Sequence, residues 1–264
     1  MKPLIAIVTF NRLSETRRTL RSLIERGACE EAEILIFDND SKDGASDLIF
    51  KMIDKGKLGT NAQAIFSPAN VGCPRALNRI MEDHRKPGQA LIKLDNDVIF
   101  HTDGWVGKLI ELAESVSGLA LLSAYYHEVF EGRACRDRGD WYEAFPLVGH
   151  CVYHAGWFLD EVGYFDILAP DHFYGFEDLL MCHRAVRRGY SCGVAKYVFA
   201  EMIQRHNSLD VAAKAGQEAE GREAHVARLR ALYNERVWLI ASLGGGYYVN
   251  ESGQIAGKKK HEGR

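Results

Sequence analysis

Residues 4–12 read Leu4-Ile5-Ala6-Ile7-Val8-Thr9-Phe10-Asn11-Arg12: an unbroken apolar run that gives way to a polar loop. An apolar run of this length, without alternation, is the pattern of a strand covered on both faces, as strands of parallel sheets are. A helix follows at once. Ser14 is placed to cap it, Leu20, Leu23 and Ile24 form its buried stripe, and Gly27 ends it. The same unit then repeats. Strand 33–37 runs into Asp38-Asn39-Asp40-Ser41-Lys42-Asp43-Gly44 and a helix marked by Leu48, Ile49, Met52 and Ile53. Strand 62–66 leads through Pro68-Ala69-Asn70-Val71-Gly72 into a helix near 75–81, and strand 90–94 ends in Asp95-Asn96-Asp97. This tempo predicts an α/β fold with a Rossmann-like, mainly parallel central sheet and helices on both faces. In such sheets ligands bind at the carboxyl ends of the strands, where loops converge and helix N-termini point. Four polar loops, at 9–12, 38–40, 70–72 and 95–97, follow strand ends and are expected to line one cleft.

Beyond residue 103 the alternation loosens. A helix is expected over 105–116, strands over 119–123 and 147–153, a helix over 177–188 and a strand over 191–199. Between them, residues 125–145 mix aromatics and histidines with charges, which reads as an irregular lid or substrate loop. The segment 222–243 places Val226, Leu229, Tyr233, Val237 and Ile240 on one helical face, for core or homodimer packing. The expected organisation is a single domain over 1–243, with a first half (1–100), a second half (101–210) and a C-terminal helix (211–243). The glycine-rich tail 244–264, which includes Lys258-Lys259-Lys260, is expected to be mobile.

Composition narrows the function. The 264 residues carry 33 basic and 36 acidic side chains for a formal charge of -3, so no bulk electrostatics favour a nucleic-acid coat. No stretch approaches the ~18 apolar residues of a membrane span, and the run 4–10 is too short for a secretory signal. A cytoplasmic location is expected. The six cysteines show no zinc spacing, so a metal would be held by oxygen and imidazole.

Two acidic motifs carry chemistry. Asp95-Asn96-Asp97 leaves its strand with two carboxylates two residues apart, a spacing that lets both approach one hard divalent cation; the same spacing also occurs in solvated turns. Phe176-Glu177-Asp178 heads a helix. Acidic residues there complement the helix dipole, and a carboxylate so placed also suits a general base.

Taken in order with Gly163-Tyr164-Phe165-Asp166, Asn78, Arg184 and Gly189-Tyr190, these motifs resemble a family 2 glycosyltransferase with the GT-A fold, over residues 3 to about 206. The resemblance implies an inverting transfer from a nucleoside-diphosphate sugar, with a UDP-sugar as the default, assisted by Mn²⁺ or Mg²⁺. It implies that Asp38 binds the nucleobase, that Thr9, Asn11 and Arg12 line the nucleotide pocket, and that Arg75 lies near the base or diphosphate. Asp95, Asn96 and Asp97 would engage the sugar, ribose and metal, with Asp97 and Asp95 as metal ligands and His206 completing the set. Asp178 matches the catalytic base and Glu177 would orient it or the acceptor. Trp141, His150 and Trp157 fall in the region that would bind the acceptor, whether glycan, lipid-linked sugar, protein or nucleobase; a tryptophan in such a segment also serves as core. The turn Asn39-Asp40-Ser41 departs from the family, which commonly has a glycine before the serine. Two alternatives stand beside this reading: a nucleotide-sugar or carbohydrate binding module of the same fold, and a sugar nucleotidylyltransferase. The latter would need a glycine-rich loop where Thr9-Phe10-Asn11-Arg12 stands.

Overall fold

The computed structural model describes residues 1–126, 135–147, 149–203 and 222–243, the last of these with side chains for 227–237. The first half alternates as expected: β1 (Leu4–Thr9), α1 (Leu13–Glu25), the single turn α2 (Ala28–Glu31), β2 (Glu33–Asp38), α3 (Ala45–Asp54), β3 (Ala62–Phe66), α4 (Cys73–Asp83) and β4 (Leu91–Asp95). The second half holds β5 (Val98–Phe100), α5 (Trp105–Ser115), β6 (Leu119–Tyr125), β7 (Arg136–Asp137), β8 (Trp141–Glu143), β9 (Cys151–His154), α6 (Gly156–Val162), α7 (Glu177–Arg187), β10 (Ser191–Met202) and α8 (Arg222–Leu243).

The strands form one sheet in the order β3-β2-β1-β4-β9-β6-β10-β8-β7, with β5 on β10. Most of the apolar run that predicts β1 is buried: Leu4 is 3% exposed, Ile5, Ala6 and Ile7 are fully covered, and Val8 is half-buried. β1 runs parallel to β2 on one side and to β4 on the other. The crossovers therefore reverse direction between β1 and β4, which makes their carboxyl ends the switch point at which such sheets bind ligands.

Several local expectations are corrected. The strand expected at 147–153 is β9, and it lies antiparallel between β4 and β6, so the sheet is mixed. The expected lid segment contains the short antiparallel pair β7 and β8, which extends β10 at the sheet edge; residues 127–134 of it lie outside the described residues. β5 and α6 were not expected; at three and seven residues they are too short for periodicity to reveal. Ser14 sits inside α1, and the cap position is Arg12, in the left-handed conformation; the Asp43 carboxylate accepts the Leu13 N–H at 2.6 Å.

The face of α8 packs within the chain. Leu229 is 1% exposed and joins Leu168, Ala169 and Leu180, with Tyr233 and Val237 alongside. The side chains of Val226 and Ile240 and the tail 244–264 lie outside the described residues. No helix among the described residues is long and apolar enough to cross a membrane.

Candidate active site

The loops after β1 and β2 are stitched together. The Asn11 N–H donates to Ser41 Oγ (2.7 Å) and the Lys42 N–H donates to Asn11 Oδ1 (2.8 Å). Asn11, Arg12, Asp40 and Phe176 are the non-glycine residues with positive φ among the described residues. All four sit in the loops that rim the carboxyl ends of the strands or head α7, where backbone strain of about 1–3 kcal/mol each persists only because surrounding contacts hold it. Asp38, at the end of β2, is 2% exposed and accepts from Ser46 Oγ (2.6 Å), the Ser41 N–H (3.3 Å) and Thr9 Oγ1 (3.4 Å). Gly72, at φ +86°, lets the 172–173 segment lie against α4; a Cβ there would come within 2.7 Å of Phe173 Cα.

The acidic residues meet at the end of β4. The register of β9 on β4 pairs Leu94 with Cys151, which carries His150 to Asp95: the Asp95 N–H donates to the His150 carbonyl (2.8 Å), and His150 Nδ1 lies 3.1 Å from Asp95 Oδ2. Tyr174 Oη donates to the same oxygen at 3.3 Å. Asp95, Asp97 and His150 each present a ligand atom within 4.8 Å of the others. Two carboxylates and an imidazole fit a divalent cation of the Mn²⁺ type, so the donor set agrees with the acidic motif. Arg12 Nη1 donates to Asp97 Oδ2 at 2.6 Å. Burial tends to raise the Asp95 carboxyl, but the Lys93 ammonium and His150 overturn that and hold it at about 2. Asp97 is raised, by burial and by the charge of Asp95.

Asp178 belongs to the same cluster. Lys93 Nζ donates to Asp178 Oδ2 (2.7 Å) and to the Gly149 carbonyl (2.7 Å), and lies 3.1 Å from Asp95 Oδ1 and 3.6 Å from Glu177 Oε1. Burial, with Glu177 and Asp95 adding to it, pushes the Asp178 carboxyl up to about 7 against the pull of Lys93. Asp178 Oδ1 and Glu177 Oε2 are buried and accept no hydrogen bond among the described residues. The closeness of Asp178 to residue 149 requires glycine: an alanine Cβ there would occupy the space of Asp178 Oδ2. Gly149→Ala is therefore expected to displace the carboxylate and lower turnover by about 10²-fold, the usual effect of an ångström-scale misplacement. Steady-state kinetics and a melting curve check it; wild-type turnover in a folded variant would show that the carboxylate position is not critical.

Other expected site residues go elsewhere. Asn96 is buried and donates through Nδ2 to Thr16 Oγ1 (2.9 Å), so it anchors the turn to α1 and faces away from the carboxylates. Arg75 donates to the carbonyls of Ala169 (3.0 Å) and His172 (3.2 Å), tying down the segment before α7. Trp141 is 6% exposed and lies over Gly193 in the core, where its ring is not available to an acceptor. Trp157 is exposed but lines a groove with Pro3, Ala90 and Gly118, at which β1, β4 and β6 begin; it stands at the opposite end of the sheet, because antiparallel β9 carries the chain away from the carboxylates. His150, expected near the acceptor, lies with the metal-type ligands. His206 lies outside the described residues.

The model of glycosyl transferase family 2 matches residues 4–147, more than half of the chain. The chain belongs to this family. No curated protein sequence matches it. Among solved structures, the mannosyltransferase PcManGT from Pyrobaculum calidifontis, in complex with GDP-Man and Mn²⁺, is 14% identical, with a TM-score of 0.63 over 92% of this chain and 76% of that one. GalNAc-T7 with UDP, GalNAc and Mn²⁺ is 16% identical, with a TM-score of 0.62 over 78% of this chain. S. aureus TarS 1-349 in complex with UDP-GlcNAc is 16% identical, with a TM-score of 0.58 over 93% of this chain and 75% of that one. The chain spans 44% of the GalNAc-T7 chain. These likenesses establish the GT-A fold, and the family is one of glycosyl transferases. Three residues of the candidate site escape the motif reading: Lys93, Gly149 and Tyr174. Lys93 has a sequence signal, one charge inside the otherwise apolar run 90–94.

Proposed function

We propose that the chain is an inverting glycosyltransferase that moves a sugar from a nucleoside-diphosphate sugar to an acceptor hydroxyl in one displacement. The observation that carries this reading is the joining of two kinds of carboxylate in one cluster: Asp95 and Asp97 beside His150, and Asp178 across Lys93 with one oxygen that accepts no hydrogen bond among the described residues. Asp95, Asp97 and His150 would hold Mn²⁺ or Mg²⁺, a Lewis acid for the diphosphate that departs. With Asp178 ionised and His150 neutral, Asp95, Asp97, Glu177 and Asp178 meet two cations among the described residues, Lys93 and Arg12, which leaves a formal charge of two negative units that a divalent cation would balance.

Thr9, Asn11 and Asp38 would shape the nucleoside end of the cleft, and Arg12, already at Asp97, is within reach of the diphosphate. Asp178 Oδ1 would accept the proton of the attacking hydroxyl, and Glu177 would hold the helix end beside it. Inversion follows from attack opposite the leaving group. The half of the chain beyond Asp97 would hold the acceptor. UDP-sugars are the default donors, and the solved neighbours that hold UDP, UDP-GlcNAc or GDP-Man support a nucleotide-sugar in this fold.

The test is a panel of UDP-, GDP- and dTDP-sugars, each with and without Mn²⁺, read by melting temperature and by free nucleotide release. A donor at a hundred times its Kd should stabilise the fold by about 2.7 kcal/mol, in a Mn²⁺-dependent manner, and release its nucleotide. Stabilisation without release would favour a binding module, and neither effect from any donor would overturn the reading.

A further inference from the structure

Lys93 stands where an apolar residue is expected. β4 is a central strand, in register with Ala6 of β1 and Val152 of β9 at this position, and its neighbours Leu91, Ile92 and Leu94 are at most 1% exposed. Lys93 itself is 2% exposed. Desolvating an ammonium costs several kcal/mol, and a hydrophobic side chain of similar volume fills such a place without that cost. Packing alone therefore does not call for lysine.

The hydrogen-bond arrangement does. An ammonium has three N–H donors, and three oxygens lie within 3.1 Å: the Gly149 carbonyl, Asp178 Oδ2 and Asp95 Oδ1. Glu177 Oε1, at 3.6 Å, adds charge without a close bond. Each of the two aspartates gives one oxygen to Lys93 and turns its other oxygen elsewhere. Asp95 Oδ2 lies with His150 and Tyr174, and Asp178 Oδ1 has no hydrogen bond from the described residues. Lys93 thus stands between the carboxylate that accepts a proton and the carboxylate of the metal-type group.

We infer that Lys93 is a positioning residue for the transfer reaction: its ammonium clamps one oxygen each of Asp178 and Asp95, and so fixes the proton acceptor relative to the donor-side carboxylates. This rests on Asp178 being the base. The lysine touches neither substrate; it acts through the carboxylates. Arginine is no substitute, because a planar fork of five donors does not fit a space that offers three close oxygens.

The experiment compares wild type, Lys93→Met, Lys93→Met/Glu177→Gln and Lys93→Met/Asp178→Asn with Asp178→Asn. It uses the panel donor that wild type turns over fastest and reads kcat, donor KM, UDP affinity in Mn²⁺ and melting temperature. Lys93→Met is expected to lower kcat by about 10²-fold with donor KM and UDP affinity within about threefold. The variant that also loses Glu177 is expected to regain melting temperature without regaining kcat. In the Asp178→Asn background, Lys93→Met is expected to cost nothing further. Wild-type kcat in Lys93→Met, kcat that recovers together with melting temperature, or an undiminished Lys93 effect without the Asp178 carboxylate would each overturn the inference. Wild-type turnover in Asp178→Asn would instead remove the base assignment on which it stands.

Discussion

Asp178→Asn is expected to lose about 10²- to 10⁴-fold in turnover, or roughly 3 to 5 kcal/mol of barrier lowering, while UDP affinity in Mn²⁺ stays within a few-fold. The amide keeps the shape of the carboxyl and its contact with Lys93 Nζ, so the fold and the donor cleft survive. What it lacks is a basic oxygen. The carboxyl is held at about 7, chiefly by burial, so the proton-accepting form grows as pH rises through that value. Wild-type turnover should therefore climb across neutral pH, and the residual rate of the variant should lack that limb. Turnover at the wild-type level in Asp178→Asn would take the residue out of the role.

The second large effect concerns Asp97. Asp97→Asn is expected to weaken Mn²⁺ binding by more than about 10²-fold, since even groups that merely support a ligand contribute 10- to 100-fold. Turnover should fall by about 10³-fold with the lost stabilisation of the leaving diphosphate. Chelator treatment of wild type should abolish turnover, and added Mn²⁺ should restore it. The substitution also removes the partner of Arg12, but that side chain is 21% exposed and can turn to water, so stability should change little. Melting curves with and without Mn²⁺ separate the two effects: the Mn²⁺-dependent rise should disappear while the metal-free curve stays. Full turnover in the presence of chelator would sink the metal assignment.

The first half of the fold is legible because β1, β2, β3 and β4 are apolar runs separated by helices with clear stripes, and parallel order follows from that alternation. The direction of β9 is not, because four buried residues carry no mark of which way they run. That gap misplaces two residues: with β9 antiparallel, His150 arrives at the end of β4 beside Asp95, and Trp157 is carried to the far end of the sheet. Asp95, Asp97, Glu177 and Asp178 are legible as chemistry from their positions at a strand end and a helix start. Their joining through Lys93 depends on a register between distant segments, which single-sequence periodicity does not encode. The left-handed turn at Arg12 likewise outweighs Ser14 as the start of α1, since Asp43 rather than the local hydroxyl takes the first free N–H.

β6 ends at Tyr125 and β9 begins at Cys151, and the two are neighbours, with Ser123 opposite Val152. Between them in sequence lie β7 and β8, which join the same sheet at its edge beside β10, so the chain that leaves β6 comes back to it at β9. Lengthening such an excursion costs only about 0.6 kcal/mol for each doubling. On the proposed function, a graft confined to residues 127–134, which spares β7, β8, Gly149 and His150, is expected to change which hydroxyl is accepted while the carboxylate cluster stays as it is.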